Sequence, residues 1–361
     1  VLSYILDYNC VTPIGNNLAS TVTAIENGVS GIGIQQGYGL GDFYASVINY
    51  PIDLIKGFTR LETLMIQALD EIIERNPLKE KSLLMISTTK GNVSALSSNQ
   101  ITEDAYLGSL ASKINRYFGF STEPIVVSNA CVSGILAISV AKRLIEAGLY
   151  NHVYILAGDE VTEFVVSGFT SFQAVSPVPC KPYDADRAGV TLGEAAAAVL
   201  VSKEKGDIKI MGDGSINDAN HISGPSRTGE GLVRSIQSAL KEAKVEAETI
   251  DFISAHGTAT PFNDEMEAIA FDRLGMNKIP LNSLKGYFGH TLGASGLLES
   301  IISFESMKRG ILYPSLGFEN LGVSKEINLI RKKEKKDIKR VLKTASGFGG
   351  ANTAVIFKKV D

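Results

Sequence analysis

Ile125-Val126-Val127-Ser128-Asn129-Ala130-Cys131-Val132-Ser133-Gly134 joins a short β-branched run to a small-residue helical pattern that continues from Ile135 to Gly148. The reading is strand, tight turn, helix, with Cys131 at the turn. A cysteine in that position meets unpaired backbone N–H groups and the positive end of a helix dipole, which favour thiolate over thiol. Cys131 is therefore a candidate nucleophile. A buried structural cysteine beside a tight turn is the other reading of the same residues.

The motif has an echo. Ile279-Pro280-Leu281-Asn282-Ser283-Leu284-Lys285, then Gly293-Ala294-Ser295-Gly296 and an apolar helix to Gly310, repeats strand, turn and small-residue helix. Ala198-Val199-Leu200-Val201-Ser202-Lys203 is matched in the same way by Ala354-Val355-Ile356-Phe357-Lys358-Lys359. Both pairs have an offset of about 155 residues, which points to a duplicated α/β unit. The boundary falls near Glu204 to Asp207, giving halves 1–205 and 206–361. Short β-rich runs alternating with helical patterns predict an α/β protein with largely parallel sheets. Strands are expected at Leu83–Ser87, Ile125–Val127, Val153–Leu156, Ala197–Val201 and Ile250–Ser254. A helix is expected over Glu62–Glu74, stopped by Asn76-Pro77. Clusters of glycine, serine and proline predict long loops over Thr88–Ser98 and Gly168–Gly189.

Composition narrows the function classes. The chain has 361 residues, 44% of them hydrophobic, which is enough for a large core in two packed halves. A formal charge of −4 gives no global reason for nucleic-acid or polybasic membrane contact. No apolar stretch reaches the roughly 18 residues of a membrane span, and the first twenty residues lack signal-peptide features, so the expectation is a cytoplasmic protein. Cys10, Cys131 and Cys180 are widely spaced, without CxxC pairing, and predict neither a disulfide framework nor a metal site. Cys10 and Cys180 read as core or loop filler.

The second half supplies acid/base groups. Ile250–Ser254 delivers Ala255-His256-Gly257-Thr258-Ala259-Thr260-Pro261 into a loop at a strand's carboxyl end, where open α/β sheets place ligands. His290 lies in Lys285-Gly286-Tyr287-Phe288-Gly289-His290-Thr291-Leu292-Gly293, whose glycines permit close backbone approach. His152, after a helix end, reads as surface or capping. Asp264-Glu265-Met266-Glu267 has capping-box spacing, so Asp264 reads as a structural N-cap.

Together with Asn129-Ala130-Cys131-Val132-Ser133-Gly134 and Ser346-Gly347-Phe348-Gly349-Gly350-Ala351-Asn352, these segments resemble the β-ketoacyl-acyl carrier protein synthases of the elongating, Cys-His-His type. Thr12-Pro13-Ile14-Gly15-Asn16, Pro182-Tyr183-Asp184 with Arg187 and Gly189, and Leu192-Gly193-Glu194-Ala195-Ala196 extend the resemblance over nearly the whole chain. It implies a thiolase fold of duplicated α/β halves in a five-layered αβαβα arrangement. It also implies a decarboxylative Claisen condensation between an acyl thioester and malonyl thioester. Substrates would be carried on the phosphopantetheine of an acyl carrier protein, with no other cofactor and no metal.

Carried over residue by residue, the resemblance makes Cys131 the acyl-carrying nucleophile, with the backbone N–H groups of Cys131 and Phe348 as the oxyanion hole. His256 and His290 would hold the enolate oxygen, and Lys285 with Glu299 would support them. A solvated helix-end salt bridge is the alternative for that pair. Thr258 and Thr260 would bind the pantetheine amides, and Phe348 with Phe169 would wall or gate the acyl pocket. Ordinary core packing is the other reading of Phe169. His221, in a segment resembling the pantetheine entrance, is given no catalytic task.

Departures from the family fall before Cys131, around Asp53–Phe58 and Asn99–Tyr106, where the chain runs several dozen residues short of a typical member. A further departure is Ser346, where the family usually has an aromatic residue two positions before the gating phenylalanine. The fatty-acid and polyketide or polyene pathways both stay open, the changes leaning towards the specialised one. The alternative is a non-catalytic, chain-length-factor-like subunit of a heterodimer, disfavoured by the retained Cys131, His256 and His290. A thiolase-like reaction is disfavoured because the last cysteine is Cys180. The expected partners are an acidic carrier protein, docked by a basic patch with Arg60 and Arg116 as candidates, and a second copy or a second ketosynthase-like chain.

Overall fold

The computed structural model describes residues 2–96 and 102–360. The last residues of the expected Thr88–Ser98 loop and the first of the Asn99–Tyr106 segment lie outside them.

Strand order carries the architecture. From one edge to the other the main sheet runs Asn328–Leu329, Pro280–Asn282, Phe252–Ser254, Arg340–Gly347, Ala351–Lys359, Ile208–Asn217, Tyr4–Val11, Ala195–Ser202, His152–Asp159, Ser82–Ser87, Ile125–Val127. The middle joint is short: Tyr4 faces Lys209 and Ile5 faces Ile208. Leaving aside the two-residue edge strand Asn328–Leu329, each side moving outward from it meets its fifth strand, then its fourth, second and third in chain order. The pairing senses also repeat: antiparallel, antiparallel, parallel, parallel on both sides. Ala195–Ser202 and Ala351–Lys359, the stretches matched in sequence, hold the same rank; so do Ile125–Val127 and Pro280–Asn282.

The sheets are mixed rather than largely parallel, since Ala195–Ser202 runs antiparallel to both neighbours. Its eight residues are all buried. A run buried on both faces looks alike in either direction, so its apolar sequence could not reveal the sense.

Helices form three layers around these two sheet halves. Arg60–Arg75 packs on the outer face of the first half and Glu230–Ala243 on the outer face of the second, while Ser133–Glu146 and Ser295–Arg309 lie between the halves. The result is an αβαβα stack. Arg60–Arg75 starts two residues earlier than its apolar spacing predicts because Thr59 and Glu62 close a capping box at its N-terminus. Its buried face carries Leu61, Leu64, Met65, Ala68, Leu69 and Ile72. Ser295–Arg309 is buried on nearly every side, as a helix in a middle layer must be.

The small residues of the two central helices have a packing reason. A Cβ on Gly134 would come within 2.7 Å of the Gly293 carbonyl oxygen and 2.8 Å of the Leu297 nitrogen, and one on Gly296 within 2.9 Å of the Ile135 nitrogen. The helices therefore touch backbone to backbone at their N-terminal ends. Those are the ends that follow Cys131 and His290.

Three local expectations need correction. Residues 168–171 belong to the helix Glu163–Ser171, capped by Thr162, and the loop begins after it. The strand before His256 is Phe252–Ser254, because Ile250 closes a single 3-10 turn first. His152 is no surface residue: it is 4% exposed at the start of its strand, with Nδ1 2.9 Å from Ser202 Oγ.

Candidate active site

Cys131 lies just ahead of Ser133–Glu146. Ala130 takes a left-handed φ of 44°, which turns the chain sharply from strand to helix. The Ser133 hydroxyl locks that turn, accepting from the Asn129 amide at 2.8 Å and donating to the Ala130 carbonyl at 2.6 Å. The Phe348 N–H faces the Cys131 thiol closely enough to pull its pKa down. Gly347 makes this approach possible: a Cβ there would stand 3.0 Å from the Cys131 nitrogen. Two backbone N–H groups, from Cys131 and Phe348, thus sit beside the sulfur.

The thiol is not a ready-made thiolate. Burial pushes its pKa up to about 11, although Lys285, Lys90 and the Phe348 N–H pull the other way. Desolvation outweighs these opposing groups. Cys10 and Cys180 are also free and buried.

His256 and His290 meet Cys131 in one cavity of about 460 Å³. Their rings stand edge to face with centroids 5.2 Å apart. Both are 2% exposed, and burial, followed by the nearby Lys285 ammonium, holds their pKa values well below the usual histidine range. Both are neutral at physiological pH. Lys285 Nζ lies 3.5 Å from His256 Nδ1, which makes that nitrogen the acceptor and puts the ring hydrogen on Nε2. His290 Nδ1 is buried and, among the described residues, without a hydrogen-bond partner.

Behind the histidines lies a buried charge cluster. Lys285 Nζ donates to Glu299 Oε1 at 2.7 Å and to the His256 carbonyl at 2.5 Å. Lys343 Nζ pairs with Glu299 Oε2 at 2.7 Å, and Ser295 Oγ donates to Oε1 at 2.9 Å. Burial pushes the Glu299 carboxyl up, but the two ammoniums prevail and hold its pKa at about 2. With Lys285 fully buried, this pair is no solvated helix-end bridge. A second carboxylate, Glu267, accepts the His256 and Gly257 amides at 2.8 and 2.7 Å and the Tyr183 hydroxyl at 2.9 Å.

Glu267 therefore does not close a capping box with Asp264. The helix Pro261–Arg273 is capped by Thr260, whose hydroxyl accepts from the Asn263 amide, and Asp264 sits inside its first turn. Asp264 is wholly buried and receives the Tyr183 amide at 2.7 Å and the Ala259 amide at 3.2 Å. Pro261 is compatible with a first-turn position, so the helix begins four residues earlier than an Asp264 cap would place it.

Of the residues singled out from the sequence, Cys131, Phe169, His221, His256, Thr258, Thr260, His290, Ser346 and Phe348 line the cavity; Lys285 and Glu299 lie behind it. Phe169 stacks on Phe348 with centroids 5.5 Å apart, and Phe172 meets Phe348 edge to face, also at 5.5 Å. Thr258 and Thr260 hydroxyls are 2.9 Å apart. Ser346 donates to Asn352 Oδ1 at 2.8 Å, and Asn352 donates to Asp218 at 3.1 Å, so the position usually aromatic carries a polar chain.

Arg60 is not a free docking cation. Its guanidinium is spent on Glu194 at 2.6 Å and Glu160 at 2.8 Å. Arg116 is exposed on Leu107–Phe118, beside the acidic Glu103 and Asp104 and away from the cavity lining. Sequence reasoning missed Glu267, Lys343, Phe172 and Asp159. Asp159 is 2% exposed and accepts from Thr88 Oγ1 at 2.9 Å and the Gly293 amide at 2.8 Å, tying the loop after Ser82–Ser87 to the turn after His290. A lone lysine inside the apolar run Val341–Ala345 was the available signal for Lys343.

Among the described residues, no group of three or more His, Cys, Asp or Glu is arranged to hold a metal ion. No helix among them is long and apolar enough to cross a membrane.

Two family models match in succession: beta-ketoacyl synthase, N-terminal domain, over residues 78–206, and beta-ketoacyl synthase, C-terminal domain, over residues 209–319. The 3-oxoacyl-[acyl-carrier-protein] synthase 2 of Rhizobium meliloti is 35% identical over 254 residues, 64% of this chain and 60% of that protein. A putative mitochondrial 3-oxoacyl-[acyl-carrier-protein] synthase of Schizosaccharomyces pombe is 31% identical over 278 residues, 69% of this chain and 64% of that protein. The matched stretches thus span less than two thirds of these relatives' own lengths. A chain from the ketosynthase and chain length factor complex of Xenorhabdus doucetiae superposes with a TM-score of 0.91 at 25% identity, covering 99% of this chain and 98% of that one. The αβαβα stack is the thiolase fold, and the chain belongs to the β-ketoacyl synthase family of the thiolase superfamily.

Proposed function

We propose that the protein is a β-ketoacyl-acyl carrier protein synthase, joining an acyl group to malonyl-acyl carrier protein with loss of CO2. The observation that carries this reading is one cavity lined by Cys131, Phe348 and two neutral histidines.

In the first half-reaction Cys131 Sγ attacks the acyl thioester carbonyl. The oxygen gains negative charge and is held by the Cys131 and Phe348 N–H groups. The carrier thiolate leaves and takes up the proton that the Cys131 thiol gives up, so a thiol with a pKa near 11 suffices. In the second, the malonyl carboxylate departs as CO2 and its bonding electrons form an enolate. The neutral His256 and His290 rings hold the enolate oxygen, each turning one N–H towards it. The enolate carbon then attacks the acyl carbonyl, the C–S bond to Cys131 breaks, and the sulfur recovers a proton from solvent.

Thr258 and Thr260 are the proposed pantetheine contacts. Thr260 also caps a helix, so Thr258 has the freer hydroxyl. Phe169, Phe172 and Phe348 would gate the acyl pocket. The repeated strand order supports dividing the chain at 205/206, with the nucleophile on one half and both histidines on the other. The proposed partners are an acyl carrier protein and either a second copy or a second ketosynthase-like chain.

The neighbouring complex contains a chain length factor, so a heterodimer subunit is the alternative. The complete Cys131, His256 and His290 set favours a catalytic subunit. Incubation with acyl- and malonyl-carrier proteins, read by intact mass spectrometry, tests the reading. The parent should gain one acyl group and yield a product two carbons longer, and Cys131→Ala should do neither. Condensation by Cys131→Ala would overturn the mechanism.

A further inference from the structure

Lys343 is the fourth residue of Arg340–Gly347, in the interior of the protein with no exposed surface. A buried ammonium needs a partner and several acceptors to be tolerated. Lys343 has both. Its Nζ pairs with Glu299 Oε2 at 2.7 Å and donates to the carbonyls of Ser254 at 3.2 Å, Ala255 at 3.3 Å and Thr344 at 2.6 Å.

Those acceptors are not arbitrary. Ser254 and Ala255 are the two residues before His256, and Lys285 holds the next carbonyl, that of His256 itself, at 2.5 Å. Three consecutive carbonyls are thus gripped by two ammoniums, and both ammoniums are tied to opposite oxygens of one carboxylate, Glu299. From the other side Glu267 takes the amides of His256 and Gly257, and Thr344 Oγ1, next to Lys343, reaches Glu267 at 3.5 Å. The segment that delivers His256 has little freedom left.

We propose that Lys343 is a positioning residue for the condensation step: through Glu299 and the Ser254 and Ala255 carbonyls it fixes the direction in which His256 faces the cavity. This rests on the ketosynthase reading of the site. The role differs from that of Lys285, which also touches the His256 ring nitrogen.

The position has an electrostatic consequence as well. The groups acting on the two imidazoles are Lys285, Lys343 and Glu299, with His290 itself facing His256, Lys90 on the loop beside His290 and the Glu267 carboxylate under the His256 amide. Lys343 is one of the cations opposing protonation of both rings. Without it the histidines protonate at higher pH, and His256 loses the neutral tautomer that Lys285 selects.

The test is Lys343→Met, of similar length and uncharged, assayed for the two half-reactions separately with acyl- and malonyl-carrier proteins across pH. Acylation of Cys131 should stay within about threefold of the parent. Condensation kcat should fall about tenfold to a hundredfold, as expected when a catalytic group is misaligned. The acid limb of the condensation profile should move up by about one pH unit. If Lys343→Met does not fold, Lys343→Gln keeps an N–H donor for the two carbonyls and is read the same way, with the shifted acid limb deciding. An unmoved acid limb with unchanged condensation overturns the inference, as does a loss shared equally by both half-reactions. A parent protein that acylates but never condenses overturns the proposed function, and this inference with it.

Discussion

Gly347 lies against Cys131 so closely that a methyl group on it would stand 3.0 Å from the Cys131 amide nitrogen. That amide is one of the two N–H groups beside the sulfur, and the Phe348 N–H, one residue on, is the other. Gly347→Ala should therefore push the two strand ends apart by a few tenths of an ångström without unfolding either. The expected result is acylation slowed about tenfold or more, short of the loss caused by removing an oxyanion donor outright, with little change in melting temperature. Stopped-flow or quenched mass spectrometry of acyl-enzyme formation measures it. A parental rate would remove the paired N–H groups from the mechanism.

The buried Cys131 thiol makes a distinct prediction about reactivity. With its pKa near 11, alkylation by iodoacetamide should be slow at pH 7 and keep rising about tenfold per unit through pH 9. Mass spectrometry of Cys131 against pH tests this. A plateau reached by pH 8 would mean that the turn and helix end outweigh burial after all.

Acid stability follows from the two histidines. Their folded-state pKa values lie well below 6.5, so below pH 6.5 the unfolded chain binds protons that the folded protein refuses. Stability is fully present above that pH and is lost as pH falls. At pH 5 each neutral ring costs up to about 2 kcal/mol. Urea midpoints between pH 7 and pH 5 should fall steeply in the parent and less so in His290→Asn. Parallel pH dependences in the two proteins would contradict the assignment.

Glu299 gives a prediction of the same sign in a lower pH window. Its carboxyl, held at about 2, contributes stability that is present above pH 4.5 and lost as pH falls towards 2. Glu299→Gln keeps the shape but leaves Lys285 and Lys343 as uncompensated buried ammoniums. The expected cost is about 3 to 5 kcal/mol at pH 7, read from denaturant unfolding. A cost below about 1 kcal/mol would show that one of the lysines sheds its proton instead.

What was legible in the sequence has a common property: it is local. Ile125–Val127 running into Cys131 and a small-residue helix is a pattern within a few residues, and its echo before Ser295 needs only a comparison at fixed offset. His256 and His290 stood out because each follows a strand in a glycine-bearing loop. The misses depend on partners far away. Arg60 looked free until Glu194, 134 residues later in the chain, came to meet it. Lys343 shows its purpose only beside Ser254, 89 residues earlier. Glu267 has spacing that suits a helix cap, and only the fold turns it towards the His256 amide. Cys131 shows a different limit: composition around a turn reveals helix-end charge but not how completely burial surrounds the sulfur, which pushes the thiol up.

The contact between Gly134 and Gly293 has a meaning beyond packing. Gly134 follows Cys131 by three positions and Gly293 follows His290 by three, so one touch of bare backbone fixes where both chemical groups stand. The central helices act as a gauge block whose thickness is the reach from sulfur to imidazole. A methyl group added at Gly134, remote from any substrate atom, would change that reach, because its nearest neighbours are a carbonyl and an amide that cannot rotate away. The spacing of the two chemical groups is therefore set by a contact between the central helices that lies outside the cavity lining.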